Sequence, residues 1–202
     1  MLLFGVTGGI ASGKSAVCQL LQEKGIAILA ADPLARKLTM TSSEIRQALK
    51  AKFGDEVYTP SGELNKKKLR ALVFSSPETR EQVNRIIHPH ILKWIEQEAG
   101  RLSVEEGHRL IGVEAALIYE SGMDDSLDAV VVVEAPLDRR IQWLQQRDQL
   151  TGEEILRRFD AQMPVPEKIR RADYVLENSG GLPELARKVD DLFDWLRQRA
   201  GD

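Results

Sequence analysis

The chain has 202 residues, 43% of them apolar, 29% charged and 5% aromatic, enough to bury a sizeable core and too apolar for a disordered polyelectrolyte. A formal charge of −3 gives no overall attraction to nucleic acid or an anionic membrane, so neither is expected as a partner. The single cysteine, Cys18, excludes an intrachain disulfide and a paired-cysteine zinc site. No apolar run approaches the roughly 20 residues that span a bilayer, and Met1-Leu2-Leu3-Phe4 lacks the basic segment of a secretory leader. A cytoplasmic location is expected. Length divided by roughly 150 gives about 1.3, which favours one domain carrying insertions.

Leu2 to Val6 is an apolar run without alternation, the pattern of a strand buried on both faces of a parallel sheet. A glycine-rich turn follows. Val17, Leu20 and Leu21 then recur at helical spacing, Gly25 supplies a stop, and Ile26 to Ala30 repeats the buried-strand pattern, which completes a βαβ unit.

The stretch from about 36 to 107 reads as a helical insertion, with helices predicted over about 43–53, 65–74 and 77–99. Gly54, Thr59-Pro60-Ser61-Gly62 and Ser75-Ser76-Pro77 separate them, and Pro89 is expected to kink or interrupt the third. Arg109 to Val113 and Ala129 to Val133 give two more strands and Tyr174 to Leu176 a short fifth, each followed by a helical pattern. The last helix, about 183–199, carries Leu185, Val189, Leu192, Phe193 and Leu196 on one stripe. Alternating strands and helices predict an α/β fold with a parallel sheet. The predicted core comprises 1–35, 108–135 and 172–202, with a lid over about 136–171.

Residues 8 to 15 read Gly-Gly-Ile-Ala-Ser-Gly-Lys-Ser and match G-x-x-x-x-G-K-[ST] without a departure. Typical residue frequencies give roughly a 1% chance of such a match by accident, and the strand before and helix after it lower that further. The loop aims backbone N–H groups and a helix N-terminus at one point, which suits a polyphosphate such as that of ATP or GTP. Gly8, Gly9, Ala11, Ser12, Gly13, Lys14, Ser15 and Ala16 are therefore the expected nucleotide-binding residues, Lys14 neutralising the β- and γ-phosphates and Ser15 joining an Mg²⁺ shell. No Asn-Lys-x-Asp guanine reader occurs, which argues against a GTPase and for a small-molecule kinase.

Ligands of such sheets sit at the carboxyl ends of the strands, and Asp32 falls there after the second one. Two readings stay open for it. Asp32 is a general base for the acceptor hydroxyl, or, with Pro33 following, an N-cap without a catalytic role. Glu114, ending the third strand, is either a Walker-B-type acid holding Mg²⁺ through water or a solvated carboxylate, and Glu120 has the same solvated alternative.

The lid segment carries Arg139, Arg140, Arg147, Arg157, Arg158, Arg170 and Arg171, yet with Lys168 these are eight basic side chains against six acidic ones. It is not a basic patch; arginines here suit bidentate contact with phosphate oxygens, or surface i, i+4 pairs. His88-Pro89-His90 has no partner cluster for zinc and reads as local packing or substrate contact. Trp94, Trp143 and Trp195 sit at helical positions and read as core or edge packing, and Cys18 as a small buried apolar residue.

Taken in order, Val6-Thr7-Gly8-Gly9-Ile10, Ala31-Asp32, Gly62-Glu63-Leu64-Asn65, His88-Pro89 and Ala172-Asp173-Tyr174-Val175-Leu176-Glu177-Asn178 resemble the dephospho-CoA kinases over nearly the whole chain. The resemblance implies a P-loop three-layer α/β sandwich with a five-stranded parallel sheet, a helical acceptor-binding insertion and a helical lid. It implies ATP-dependent phosphorylation of the ribose 3′-hydroxyl of dephospho-CoA with Mg²⁺, by a monomer or small homo-oligomer. It places Asp32 as the base, His88 and Pro89 with the acceptor, Arg147, Asp148, Arg158 and Gln162 in the lid and Asn178 near the adenine; Arg140 is a candidate nucleotide contact on spacing, since either it or Arg139 can share the helix face of position 143. Lys14, Asp32 and Arg147 are the implied catalytic set. Two departures stand out. Residues 114 to 120 read Glu-Ala-Ala-Leu-Ile-Tyr-Glu where the family tends to Asp-x-Pro-Leu-Leu-Phe-Glu, and Trp143 stands where the family often has an arginine four residues before the lid's Arg-Asp. The alternatives weighed against this reading are a nucleoside or nucleotide monophosphate kinase and a non-catalytic nucleotide-binding switch.

Overall fold

The apolar runs at both ends of the sequence meet in one sheet. In the computed structural model, which describes residues 1–148, 151–160 and 162–201 and all their side chains except those of Phe74, Arg147, Asp148 and Arg157, β1 (Leu2–Gly8) is the central strand. It lies between β3 (Leu110–Glu114) and β4 (Ala129–Glu134), with β2 (Ala27–Ala30) and β5 (Tyr174–Glu177) outermost, giving the order β2-β3-β1-β4-β5. All four pairings are parallel. The register sets Val6 opposite Glu114, Gly8 opposite Val133 and Glu134 opposite Glu177, so the carboxyl ends of the strands form one edge.

A parallel sheet must be covered on both faces, and β-branched residues suit that burial. Val130 to Val133 of β4 are all buried. On one side Phe4, Val6, Val131, Val133 and Leu176 pack with Val17 and Leu21 of α1 (Lys14–Glu23) and with Leu185, Val189, Leu192 and Leu196 of α10 (Leu182–Ala200). Each such side chain contributes about 1.5–3 kcal/mol when fully buried.

The chain divides into two compact units, residues 1–30 with 99–202, and residues 31–98. These limits lie several residues from the expected insertion of about 36–107. The second unit holds α2 (Ala31–Thr41), α3 (Ser43–Phe53), α4 (Lys66–Ser75) and most of α5 (Pro77–Glu105). Ser42 caps α3, its hydroxyl accepting from the Ile45 amide at 3.2 Å, and Asn65 caps α4, accepting from the Lys68 amide at 3.1 Å. The Tyr58 hydroxyl donates to the Thr39 carbonyl at 2.7 Å.

Two local expectations change. α5 runs uninterrupted through Pro89, which forfeits its own amide bond to the Arg85 carbonyl while the surrounding amides keep the helix going. β2 passes directly into α2, so Asp32 is the second residue of the helix and not its N-cap. Pro33 is tolerated there because first-turn amides have no carbonyl to pair with inside the helix.

The lid segment is helical: α7 (Leu137–Asp148), α8 (Gly152–Asp160) and α9 (Val165–Arg171), the last starting after Pro164. α6 (Ile118–Ser121) is a single turn after β3.

Candidate active site

The loop between β1 and α1 is built on left-handed backbone: φ is +58° at Ala11 and +91° at Gly13, which occupies the cap position of α1. Such residues turn successive amides toward one concave side. The Ser12 amide closes the turn by donating to the Gly9 carbonyl at 3.2 Å. Lys14 Nζ donates to the Gly8 and Gly9 carbonyls at 3.1 and 3.0 Å, so its charge lies over the loop. A pocket of about 270 Å³ opens there, lined by Ala11, Ser12, Gly13, Lys14, Ser15 and Trp143.

Buried polar groups brace the loop from behind. Arg140 of α7, 8% exposed, donates through Nε to the Ile10 carbonyl at 2.9 Å and stacks over the Phe159 ring at 4.6 Å. Burial lowers its pKa, and the nearby Glu134 carboxylate opposes that. A Cβ at Gly9 would come within 2.5 Å of the Arg140 guanidinium, so a larger residue there would push that side chain away from the loop. Asn178, buried at the end of β5, donates from its amide to the Ser12 carbonyl at 3.0 Å, and a Cβ at Gly13 would collide with that same amide. The Ser12 hydroxyl is buried without a hydrogen-bond partner among the described residues.

At the neighbouring strand end, Ser15 Oγ donates to Glu114 Oε1 at 2.7 Å. A hydroxyl and a carboxylate are hard oxygen donors, a pair that fits Mg²⁺, which retains waters and phosphate oxygens and needs only one or two protein ligands. Cys18, buried near Glu114, has its thiol pushed far up by desolvation, so thiolate chemistry is disfavoured.

Sequence reasoning missed a second layer. Glu120, for which a solvated carboxylate is one of two readings open from sequence, is 18% exposed at the side chain and pairs at 2.8 Å with Lys168, which is wholly buried. Lys168 also donates to the Ala116 carbonyl at 2.9 Å, Thr7 Oγ1 reaches the same carbonyl at 3.3 Å, and the Met163 amide donates to Glu120 Oε1 at 2.8 Å. The turn after Glu114 is thereby fastened both to β1 and to the entrance of α9. No periodicity announces a pair 48 positions apart in the sequence; the acid of the 114–120 motif was its only signal.

Trp143, read from its spacing as core or edge packing, is half-buried and stands in the wall of the loop's pocket. Arg158 lies half-buried on α8 and Gln162 follows that helix; the side chains of Arg147 and Asp148 fall outside the described residues. In the second unit, Asp32 is exposed and its carboxylate accepts no hydrogen bond among the described residues. His88 is partly buried on α5, and desolvation lowers its imidazole pKa; Pro89 beside it is exposed. Ala16 continues the first turn of α1, its amide donating to the Gly13 carbonyl at 3.0 Å.

A central strand, glycine-rich loop and helix at the carboxyl edge of a five-stranded parallel sheet define a P-loop kinase. The fold is shared by shikimate kinase from Acinetobacter baumannii, with a TM-score of 0.53, 17% identity and coverage of 96% of this chain and 94% of that one. Within that class the family model for dephospho-CoA kinase matches residues 2–184, and the chain belongs to the dephospho-CoA kinase family. The dephospho-CoA kinase of Anaeromyxobacter dehalogenans is 41% identical over 201 residues, covering 100% of this chain and 95% of the relative. A crystal structure of a Thermus thermophilus protein superposes with a TM-score of 0.80 at 34% identity, covering 96% and 97% of the two chains.

Proposed function

We propose that the chain phosphorylates the ribose 3′-hydroxyl of dephospho-CoA from ATP, giving coenzyme A and ADP, with Lys14, Asp32 and Arg147 as its catalytic groups. The observation that carries this reading is the loop itself: Lys14 Nζ over the Gly8 and Gly9 carbonyls, beside a Ser15–Glu114 hydrogen bond of 2.7 Å.

The amides of the loop and of the first turn of α1 bind the ATP phosphates, and Lys14 neutralises charge on the β- and γ-oxygens. Arg140 and Asn178 act by holding the loop in shape, since their side chains already donate to the Ile10 and Ser12 carbonyls. Ser15, with Glu114 through a water, would hold Mg²⁺, which when bound supplies positive charge to the phosphate oxygens. Asp32 orients the 3′-hydroxyl and takes its proton at a carboxylate oxygen as the hydroxyl oxygen attacks the γ-phosphorus in line. Its exposure, with no partner among the described residues, leaves that carboxylate available. His88 and Pro89 contact the acceptor. Arg147 and Arg158 of the lid stabilise the transferring phosphoryl group, and closure of the lid excludes water and limits idle ATP hydrolysis. The enzyme works in the cytoplasm as a monomer or small homo-oligomer.

The test is ADP release with dephospho-CoA, adenosine and AMP as competing acceptors. Preference for dephospho-CoA, abolished in Lys14→Ala, is expected. Preference for adenosine or AMP, or near-wild-type transfer by Lys14→Ala, would contradict it.

A further inference from the structure

Five of the six residues lining the loop's pocket are the contiguous run Ala11 to Ser15; the sixth, Trp143, comes from α7 more than a hundred positions later. α7 turns one face to this region. Arg139 donates to the Gly180 carbonyl at 2.9 Å and Arg140 to the Ile10 carbonyl at 2.9 Å, and Trp143 lies one helical turn further on, at i+4 and i+3 from them. The loop after β5 is drawn in as well, because Asn178 donates to Ser12. The space along Ser12 and Gly13 is therefore flanked by α7 and by the 178–181 loop.

The indole is half-buried and, among the described residues, has neither a hydrogen-bond partner nor a ring or cation stacked on it. Its π-face is electron-rich and so an unfavourable neighbour for phosphate oxygens, whereas it stacks well on a heteroaromatic base. We infer that Trp143 is the platform on which the purine base of the donor nucleotide stacks, and that it sets nucleotide affinity through the base and not through the phosphates. Stacking reads a flat π-face without a hydrogen-bond code, so adenine and guanine nucleotides gain alike from it.

This inference rests on the nucleotide site proposed above, and the experiment separates the two. Binding of ADP, GDP and inorganic tripolyphosphate is measured by calorimetry for the wild type, Trp143→Ala and Trp143→Phe, each checked for an unchanged melting temperature. Trp143→Ala is expected to weaken ADP and GDP by about 5- to 150-fold while tripolyphosphate binding changes less than about twofold, and Trp143→Phe recovers most of the loss. Intrinsic fluorescence gives a second reading: ADP quenches the wild type but not Trp143→Phe, in which Trp94 and Trp195 remain. Equal loss of ADP and tripolyphosphate, or unchanged ADP affinity in Trp143→Ala, would overturn the stacking role. Failure of the wild type to bind tripolyphosphate or ADP would overturn the nucleotide site itself, and the stacking role with it.

Discussion

Replacing Lys168 by methionine removes the cation of a buried pair while preserving most of the side-chain volume. The ammonium has no exposure and two partners, Glu120 Oε1 at 2.8 Å and the Ala116 carbonyl at 2.9 Å. Breaking such a pair from one side costs about 3–5 kcal/mol, because the remaining charge stays buried without compensation. Glu120 retains 18% exposure and the Met163 amide as a donor, which points to the lower end, about 3 kcal/mol. For a chain of this size each kcal/mol shifts Tm by about 2–4 °C, so a fall of about 6–12 °C is expected by calorimetry, with a matching loss in urea unfolding. The double variant Lys168→Met with Glu120→Gln removes both charges, keeps an acceptor for the Met163 amide and should recover at least half of the loss. A single variant costing less than about 1 kcal/mol, or a double variant as unstable as the single, would refute the account of this pair.

Asp32→Asn should lower kcat by about 10²- to 10⁴-fold with ATP affinity and Tm retained, because an exposed carboxylate without a partner contributes little to folding; a fall in Tm with kcat preserved would assign Asp32 a structural role. Glu114→Gln should raise the Mg²⁺ concentration for half-maximal rate by about 10- to 100-fold while metal-free ADP binding is unaffected, and an unaltered Mg²⁺ dependence would remove Glu114 from the metal site. Burial lowers the His88 pKa, so as the pH falls the unfolded chain takes up its proton first. The stabilisation is complete above about pH 6.5, the ordinary imidazole value, and is lost progressively as the pH drops below it. Thermal melts on either side of about pH 6.5 should therefore show a shallower decline for His88→Gln than for the wild type; parallel declines would contradict this.

What the sequence makes legible follows the range of the interactions. The phosphate loop is local, eight consecutive residues between a strand and a helix, so spacing alone locates it. The apolar runs of β1 and β4 are legible because burial on both faces leaves no alternation. Strand order is not, since the placing of β1 between β3 and β4 depends on pairings between positions more than a hundred residues apart. Pro89 marks a break by its local rule, and the rest of α5 overrides it. Asp32 looks like a cap because of Pro33, yet the helix starts one residue earlier. Trp143 and the Lys168–Glu120 pair gain their meaning only from what another element brings to them.

The central claim is transfer of one phosphoryl group to a particular hydroxyl, and the most direct measurement is identification of the product. After incubation of the purified chain with ATP, Mg²⁺ and dephospho-CoA, ³¹P NMR and mass spectrometry of the acceptor should show one new phosphomonoester on the ribose 3′-oxygen, formed in equal amount to ADP. ADP formed without a phosphorylated acceptor, or a phosphoryl group on any other oxygen, would contradict it.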